Sequence, residues 1–483
     1  MPDKKANTPQ PIVKTKGIIT KVAYGWDDIE APIIAFVAAE LPFVFQGVHG
    51  NAKTTVGKLI GQVYGDNTFR YFDCSKANLI AMAGFPDAKR MAAGEQAFVP
   101  NNRSLIGSDK HPVQVILLDE LTRAPKEAQN LLLEVVENKS VFGIPTGHKI
   151  CIATMNPETY RNAMKLDQAL VDRFVAYLPV PDYREAPAED IEAMIKINMA
   201  QEVDAKYIEN IGKELKDIVE KVRAKYLSFL SNQDMQDRVS SYVAQLYDLS
   251  KAKFGNDDEA PYISGREQAA QLWRAIMALS AYYVAIKGHK EREALVEAAQ
   301  EAIKYCLVTK HTMTSKFTGI IQTVHKEMKF ILMVTAQGEA GKLQVAYAKS
   351  MNPQAKLNFW DLYYADVVKH CDVATMNEML LSTLESIDNY MPRDAKKKKG
   401  AEAEMLSMRA RLYGIAKRKS EFAATADQLE GALICQLVAG MNSKGVSVKD
   451  EPYKGTLTKP TIKSSDIVDL IVHLTTGNKR VPF

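Results

Sequence analysis

A short polar loop in the first third of the sequence has the residue types that bind the phosphates of a nucleotide. It follows an apolar run, precedes an amphipathic helix, and reads Gly47-Val48-His49-Gly50-Asn51-Ala52-Lys53-Thr54, followed by Thr55. Phosphates require backbone N–H groups on a tight loop and the positive end of a helix, and this placement offers both. Lys53 would reach the β- and γ-phosphates of ATP, and the hydroxyl of Thr54 would bind Mg²⁺. The residue before the lysine, usually glycine in such loops, is Ala52.

Two consecutive acids, Asp119 and Glu120, end the apolar run Val113–Leu118. A carboxylate at the end of an adjacent strand can hold the water shell of Mg²⁺, and the next carboxylate can polarise an attacking water molecule. Acidic residues often end buried strands, so this pair is informative because it accompanies the phosphate loop. The sequence predicts Asp119 as a metal ligand and Glu120 as a catalytic residue.

Two further polar residues follow the next apolar runs. Asn156 lies in the segment 153–157, where it could stand between the tips of the second and third predicted strands and orient the lytic water; the alternative is a turn residue before Pro157. Arg173 lies just before the fifth predicted strand, from where it cannot easily reach its own nucleotide but could reach that of a neighbouring subunit. The alternative for Arg173 is a surface ion pair with Asp172.

Arg266 begins a long helix that is predicted to follow Ser264 and Gly265. Ser264 suits the N-cap of that helix, and Arg266 in its first turn could close onto the γ-phosphate. Arginine is unfavourable at a helix N-terminus, where the helix dipole prefers acids. A functional role for Arg266 is therefore expected.

The elements that must position these residues alternate between short apolar runs and amphipathic helices, as in a parallel sheet with crossover helices. The predicted strands are Leu41–Gln46, Phe69–Phe72, Val113–Leu118, Ile150–Thr154 and Val175–Val180. One predicted helix lies between the first two strands and has Val56, Leu59, Ile60 and Val63 on one face, and another is Lys126–Asn138. Residues 186–308 predict about four more helices, the clearest being Ile208–Leu230 and Glu267–Ile286. The segment Phe330–Ala348 fits either a hairpin around Gly338–Gly341 or a buried helix, and most of the remaining C-terminal region reads as helical.

Length and composition limit the classes of protein that remain. A chain of 483 residues is long for one core and predicts two to four domains. The net charge of +4 argues against a dedicated nucleic-acid binder. Five widely spaced cysteines indicate neither a zinc site nor a disulfide framework. Without a signal-peptide pattern or an apolar run long enough to span a membrane, we expect a cytoplasmic protein.

With these residues in place, the sequence resembles the MoxR family of AAA+ ATPases over about residues 30–300. The similarity lies in the phosphate loop with alanine before the lysine, and in the segments 119–125, 129–134, 153–157 and 169–174. The resemblance implies an α/β P-loop AAA+ parallel-sheet sandwich with an α-helical lid, to which this chain adds a mostly helical C-terminal region. The implied domains are a lead-in at 1–29, an ATPase core at 30–185, a lid at 186–310 and a C-terminal domain at 311–483.

The same resemblance implies a role for each matched residue. Lys53 and Thr54 are similar to Walker A, Asp119 and Glu120 to Walker B, and Asn156 to sensor 1. Arg173 is similar to a trans-acting arginine finger, and Arg266 to sensor 2. Family members carry an insert after the second strand and a hairpin before sensor 1, for which residues 73–112 and Ser140–Lys149 leave room. His49 departs from the proline usual in the family, and Thr122 from a common asparagine.

The function implied by the resemblance is ATP- and Mg²⁺-dependent remodelling of a protein client by a ring, most simply a hexamer, with a von Willebrand factor A domain protein as a possible partner. The C-terminal domain would then select the client. One alternative is a ring motor acting on nucleic acid, for which the sequence support is the run Lys396–Lys399; such a run is more often a solvated loop. Another is the ATPase subunit of a metal-chelatase-like complex.

Overall fold

The structure, a computed structural model, describes residues 17–65, 67–94, 98–156, 166–184, 186–204, 206–255, 267–333, 338–348, 350, 352–388 and 398–416. Contacts divide the chain into two compact units, residues 1–321 and 322–483. The predicted domain limits at residues 29, 185 and 310 remain predictions.

A five-stranded parallel sheet forms the centre of the first unit. The strands of this unit are β1 (Phe43–Gln46), β2 (Phe69–Asp73), β3 (Phe85–Pro86), β4 (Phe98–Val99), β5 (Val115–Asp119), β6 (Ser140–Val141), β7 (Ile144–Pro145), β8 (Ile150–Met155) and β9 (Ala176–Pro179). The order in the large sheet is β2-β5-β8-β1-β9, with every neighbouring pair parallel. Buried apolar side chains run continuously along β1, β5 and β8, as expected for a sheet covered on both faces. The predicted α/β fold is confirmed.

Among the described residues, six α-helices lie before β9. They are α1 (Asp27–Ala38), α2 (Lys53–Tyr64), α3 (Leu79–Ala83), α4 (Ala88–Ala92), α5 (Lys126–Asn138) and α6 (Gln168–Arg173). Helix α2 packs against β5 and β2 of the large sheet. The apolar stripe of α2 is buried, and two glycines let this helix approach the sheet: a β-carbon at Gly57 would lie 2.9 Å from Leu117, and one at Gly61 would lie 2.8 Å from Phe69. These close approaches place α2 directly against β5 and β2.

The insert and the hairpin expected from the family resemblance are both formed. The described insert consists of α3, α4 and the antiparallel pair β3 and β4. Strands β6 and β7 make the antiparallel hairpin, which Glu134 holds by accepting hydrogen bonds from the Ser140 hydroxyl at 2.7 Å and the Gly143 N–H at 2.8 Å. At the hairpin tip, the exposed ring of Phe142 stacks on Phe98 of the insert.

The described residues after β9 form helices that are joined by turns and loops. They include α7 (Ala188–Val203), α8 (Tyr207–Leu230), α9 (Gln233–Phe254), α10 (Glu267–Ala285), α11 (Glu291–Ala302), a π-helix (Ile303–Val308) and α12 (Ser315–Met328). Helix α8 packs against α2, and α10 packs against α1 and α11. Five α-helices and the π-helix therefore stand where about four helices were predicted. In the part of the chain that is described, no helix is long and apolar enough to span a membrane.

The described part of the second unit is also helical. Its helices are α13 (Phe330–Met333), α14 (Gly338–Ala348), α15 (Pro353–His370), α16 (Val373–Asp388) and α17 (Lys398–Ala416). The hairpin interpretation of Phe330–Ala348 is wrong, because Gly338–Gly341 begin α14. Trp360 is fully buried and donates a hydrogen bond to the Thr383 hydroxyl at 3.1 Å, so this aromatic side chain packs the core. Lys396 and Lys397 lie outside the described residues.

Candidate functional site

The phosphate loop connects the end of β1 to the start of α2. Gly50 (φ 83°) and Ala52 (φ 58°) have left-handed backbone conformations, and Ala52 is the residue before α2 begins at Lys53. A β-carbon at Gly50 would meet nothing within 4 Å, so the backbone conformation and not crowding requires glycine there. A β-carbon at Gly47 would lie 2.3 Å from Val180 Cγ2. Gly47 therefore lets the loop pass directly beside the end of β9.

Lys53 points into this loop and is 8% exposed. Its Nζ donates hydrogen bonds to the carbonyl oxygens of Gly47 at 2.8 Å and Val48 at 2.6 Å. Burial lowers the pKa of Lys53, while the nearby charges of Asp119 and Glu120 act in the opposite direction. A phosphate chain in the loop would offer this ammonium group charged oxygen acceptors in place of the two carbonyls. The position thus fits a phosphate-binding lysine.

Other residues of the phosphate loop attach it to the neighbouring segment of the chain. Val48 and Asn51 are buried, and the Asn51 side-chain amide donates to the carbonyl oxygen of Pro181. Thr54 and Thr55 occupy the first turn of α2 and are half-buried. The loop is therefore attached to the segment that follows β9 as well as to β1.

Asp119 ends β5 with both carboxylate oxygens engaged. Its Oδ1 accepts a hydrogen bond from the Thr154 hydroxyl at 2.5 Å, and its Oδ2 accepts one from the Tyr71 hydroxyl at 2.7 Å. The next residue, Glu120, has a left-handed backbone (φ 55°), and its N–H donates to the oxygen of the same Thr154 hydroxyl at 3.0 Å. Thr154 thereby fixes both acids, a role that the sequence analysis missed although it singled out the segment containing this residue. Nothing in the sequence around Tyr71 indicated that its hydroxyl contacts Asp119.

The Glu120 carboxylate lies between two basic side chains. Arg123 Nη1 is 2.7 Å from Glu120 Oε2, and His49 Nδ1 is 3.5 Å from Glu120 Oε1. On the other side of the imidazole, His49 Nε2 lies 3.0 Å from the Asn156 amide nitrogen. His49 consequently links the phosphate loop to Glu120 and Asn156.

The strand order corrects two expectations about neighbours. The strand that ends in Asp119 is not adjacent to the strand before the phosphate loop, because β8 lies between β5 and β1. For the same reason, Asn156 follows a strand between the first and third predicted strands, and not between the second and third. Asn156 is 4% exposed and lies where the loop and the acids meet. Parallel strands end at one edge of a sheet, which is why these side chains converge.

The donor set suits Mg²⁺. This ion is held by one or two protein ligands together with substrate phosphates and water. Thr54 and Asp119 would supply a hydroxyl and a carboxylate beside the phosphate loop. In the described ranges, no group of three or more His, Cys, Asp or Glu side chains could hold a metal ion by itself.

Arg173 is the last residue of α6 and is held by two glutamates. Its Nε lies 2.9 Å from Glu137 Oε2, and its Nη1 pairs with Glu267 at the start of α10. The alternative ion pair with Asp172 is not formed; Asp172 Oδ1 instead accepts a hydrogen bond from Gln268 at 3.0 Å. Neither ion-pair partner of Arg173 belongs to the phosphate loop. Residues 264–266, including the predicted Arg266, lie outside the described residues, as does Pro157.

The AAA domain (dynein-related subfamily) matches residues 42–174, which include the loop, both acids, Asn156 and Arg173. Among solved structures, a candidate ATPase from Cytophaga hutchinsonii is 18% identical with a TM-score of 0.42, covering 63% of this chain and 90% of its own. NtrX from Brucella abortus in complex with ADP is 15% identical with a TM-score of 0.26, covering 66% of this chain and 70% of its own. No significant match was found among curated proteins. Residues 42–174 thus carry an AAA domain.

Proposed function

We propose that the AAA domain of this chain hydrolyses Mg-ATP and that the chain works as a MoxR-like ring ATPase that remodels, matures or activates a protein complex. The observation that supports the proposal is the convergence of Lys53, Asp119, Glu120 and Asn156 at one edge of the sheet. Binding, metal-holding and catalytic groups of a nucleotide hydrolase must meet around one γ-phosphate. Here they come from the ends of β1, β5 and β8.

Each of these side chains has a role in hydrolysis. Lys53 binds the β- and γ-phosphates, and the remaining loop residues surround the phosphate chain with backbone N–H groups. Thr54 and Asp119 would hold Mg²⁺, and the bound ion would neutralise charge on the phosphates. Glu120 polarises the attacking water, and Asn156 orients that water. His49 of the phosphate loop contacts both Asn156 and Glu120, and it therefore helps to set the distance between these two side chains.

The proposal extends from one subunit to a ring. Arg173 would complete the site of a neighbouring subunit, and Arg266 would close onto the γ-phosphate of its own subunit. A ring is the proposed state, because an arginine that acts on a neighbour's nucleotide needs a head-to-tail interface, and such interfaces can close into a ring. A ring of six subunits is what the family resemblance implies. The region 186–310 would serve as lid and 311–483 as the part that selects a protein client. A von Willebrand factor A domain protein is the proposed partner type.

Steady-state ATP hydrolysis tests the site. We expect Glu120→Gln to lower kcat by about 10²–10⁴-fold, the range for losing a general base, while ATP binding persists. Lys53→Ala should instead abolish binding, because the phosphates lose their buried cation. Glu127→Gln is the matched control: it removes an exposed carboxylate seven positions along the chain, on α5, and should leave kcat unchanged. Equal rates for Glu120→Gln and Glu127→Gln would refute the assigned site.

Light scattering in ATP tests the ring. Glu120→Gln should accumulate as a nucleotide-bound oligomer, and Arg173→Ala should bind ATP but not hydrolyse it. If the wild-type chain hydrolyses ATP while it is a monomer, hydrolysis does not depend on the arginine of a neighbouring subunit, and the ring proposal is wrong. If the wild-type chain does not hydrolyse ATP, the proposed function itself is wrong.

A further inference from the structure

Lys310 is a buried lysine that lies outside the nucleotide site. It follows the π-helix by two residues and is 5% exposed. Its Nζ donates hydrogen bonds to the Phe174 carbonyl oxygen at 2.6 Å, the Asp172 carbonyl oxygen at 3.2 Å and Gln271 Oε1 at 3.0 Å. All three donors of the ammonium group therefore have acceptors.

Gln271 completes the same cluster from α10. It is 6% exposed, and its Nε2 donates to the Asp172 carbonyl oxygen at 2.7 Å and the Arg173 carbonyl oxygen at 3.3 Å. The carbonyls of Asp172, Arg173 and Phe174 are those at the C-terminal end of α6, which have no partners within their own helix. Lys310 and Gln271 supply those partners, and the positive charge suits the negative end of a helix.

Burying the ammonium group of Lys310 costs free energy, so its presence at a buried position needs a physical explanation. Burial lowers the pKa of Lys310 to about 8; the nearby Cys306, Asp172 and Glu267 oppose this shift, and Arg173 adds to it. An apolar side chain of similar length would fill the same space without that cost. The ammonium group thus contributes hydrogen bonds to the end of α6 that an apolar residue could not make.

We infer that Lys310 is a positioning residue: together with Gln271 it fixes the C-terminal end of α6 to helix α10, so that Arg173 moves with the helical region of its own subunit. The inference rests on the proposed function, in which Arg173 acts on a neighbour's nucleotide. Helix α10 begins at Glu267, directly after the predicted γ-phosphate sensor Arg266. A movement of α10 caused by the nucleotide of one subunit would therefore also move Arg173, which acts on the nucleotide of the neighbouring subunit.

Lys310→Met tests the inference, with Lys304→Met as the control. Methionine keeps the length and removes the donors, whereas Lys304 is exposed, on the preceding π-helix. We expect Lys310→Met to bind ATP as tightly as the wild type and to lose about 10²-fold in kcat, as a displaced catalytic group does. Hydrogen exchange at the amides of residues 169–173 should quicken in this variant and not in the control.

Mixed rings separate a displaced finger from a damaged nucleotide site. Lys310→Met subunits keep Glu120, and Glu120→Gln subunits keep a positioned Arg173. If the two assemble at random in equal amounts, about a quarter of the interfaces join an intact Glu120 to a positioned Arg173. The mixture should therefore recover about a quarter of wild-type turnover. A mixture of Lys310→Met with Arg173→Ala should recover nothing, because neither subunit supplies a working finger. Arg173→Ala mixed with Glu120→Gln is the reference, and Lys310→Met should match it.

Gln271→Glu provides a second variant of unchanged size in case Lys310→Met does not fold. It removes the amide donors to the Asp172 and Arg173 carbonyls, so kcat should again fall with ATP binding retained. Turnover of Lys310→Met or Gln271→Glu equal to Lys304→Met, beside an inactive Arg173→Ala, would overturn this inference and leave the proposed function intact. Loss of ATP binding in a folded Lys310→Met variant would also overturn it. An inactive wild-type chain would overturn both.

Discussion

Replacing Thr154 by valine should damage both the stability and the chemistry of the site. The Thr154 side chain is 1% exposed, and valine has nearly the same shape, so the change removes a hydroxyl without leaving a cavity. Two interactions disappear: the hydrogen bond to Asp119 Oδ1 at 2.5 Å and the one from the Glu120 N–H at 3.0 Å. Both acids of the candidate site lose their shared partner.

The cost follows from these two bonds. A hydrogen bond to a charged group contributes about 1.5–3 kcal/mol, and an unpaired N–H at a partly buried position costs about 1–3 kcal/mol. Because the two share one hydroxyl and are not additive, we expect the free energy of unfolding to fall by about 2–4 kcal/mol. At about 2–4 °C per kcal/mol, Tm should fall by about 4–16 °C. Turnover should fall by about 10–100-fold, as for other groups that orient a metal ligand.

The assays are thermal unfolding without nucleotide and Mg-ATP hydrolysis at a temperature where every variant is folded. Thr154→Ser is the control: it keeps the hydroxyl, deletes one methyl group, and should cost about 1 kcal/mol with turnover close to wild type. If the valine and serine variants have the same Tm and the same turnover, the hydroxyl does not hold the two acids, and the reasoning fails.

Three further changes test the loop and the helical region. Ala52→Gly should raise the free energy of unfolding by up to about 1 kcal/mol, because glycine adopts the left-handed φ of 58° without strain; a lower urea midpoint would contradict this. Gly47→Ala should weaken ATP binding about tenfold because its β-carbon would lie 2.3 Å from Val180 Cγ2, and adding Val180→Ala should restore binding; an additive double mutant would exclude the clash. Burial raises the pKa of Glu301, which accepts a hydrogen bond from the Tyr283 hydroxyl, to about 7, so the folded state holds a proton that the unfolded state releases near its ordinary pKa. Its stabilising effect should be present at pH 4 and be lost as pH rises to 7, and Glu301→Gln should therefore raise Tm more at pH 8 than at pH 5; equal shifts would contradict the buried proton.

Local sequence patterns were sufficient for most elements of the first unit. Helix α5 was predicted at its observed limits, Lys126–Asn138, because its apolar positions recur at helical spacing. The five strands of the large sheet were predicted within about two residues, since continuous apolar runs bounded by polar residues are typical of a covered parallel sheet. The short strands β3, β4, β6 and β7 were not predicted from apolar runs. The same patterns could not decide Phe330–Ala348: a short apolar segment fits a strand or a helix, and contacts elsewhere in the chain decided for helix.

Strand order, in contrast, required the tertiary structure. A crossover helix allows the next strand to be placed beside the previous one or further away, and nothing local to Asp119 or Asn156 indicates that β8 separates β5 from β1. The partners of Arg173 were hidden for the same reason. Glu137 and Glu267 lie 36 and 94 positions away in sequence, and only the packing of α5, α6 and α10 brings them to the guanidinium group.

The sequence by itself determined the chemical groups of this protein: a lysine on a phosphate loop, two acids after a buried strand, an asparagine after the fourth predicted strand and an arginine before the fifth. These groups can be recognised from the type of each residue and from its position next to a predicted strand or helix, because local backbone preferences decide where those elements begin and end. The tertiary structure decided which groups act together, including the hold of Thr154 on both acids, the bridge made by His49, and the attachment of the Arg173 helix by Lys310. Hydrogen bonds depend on positions within a few tenths of an ångström, and those positions arise only when distant segments pack together.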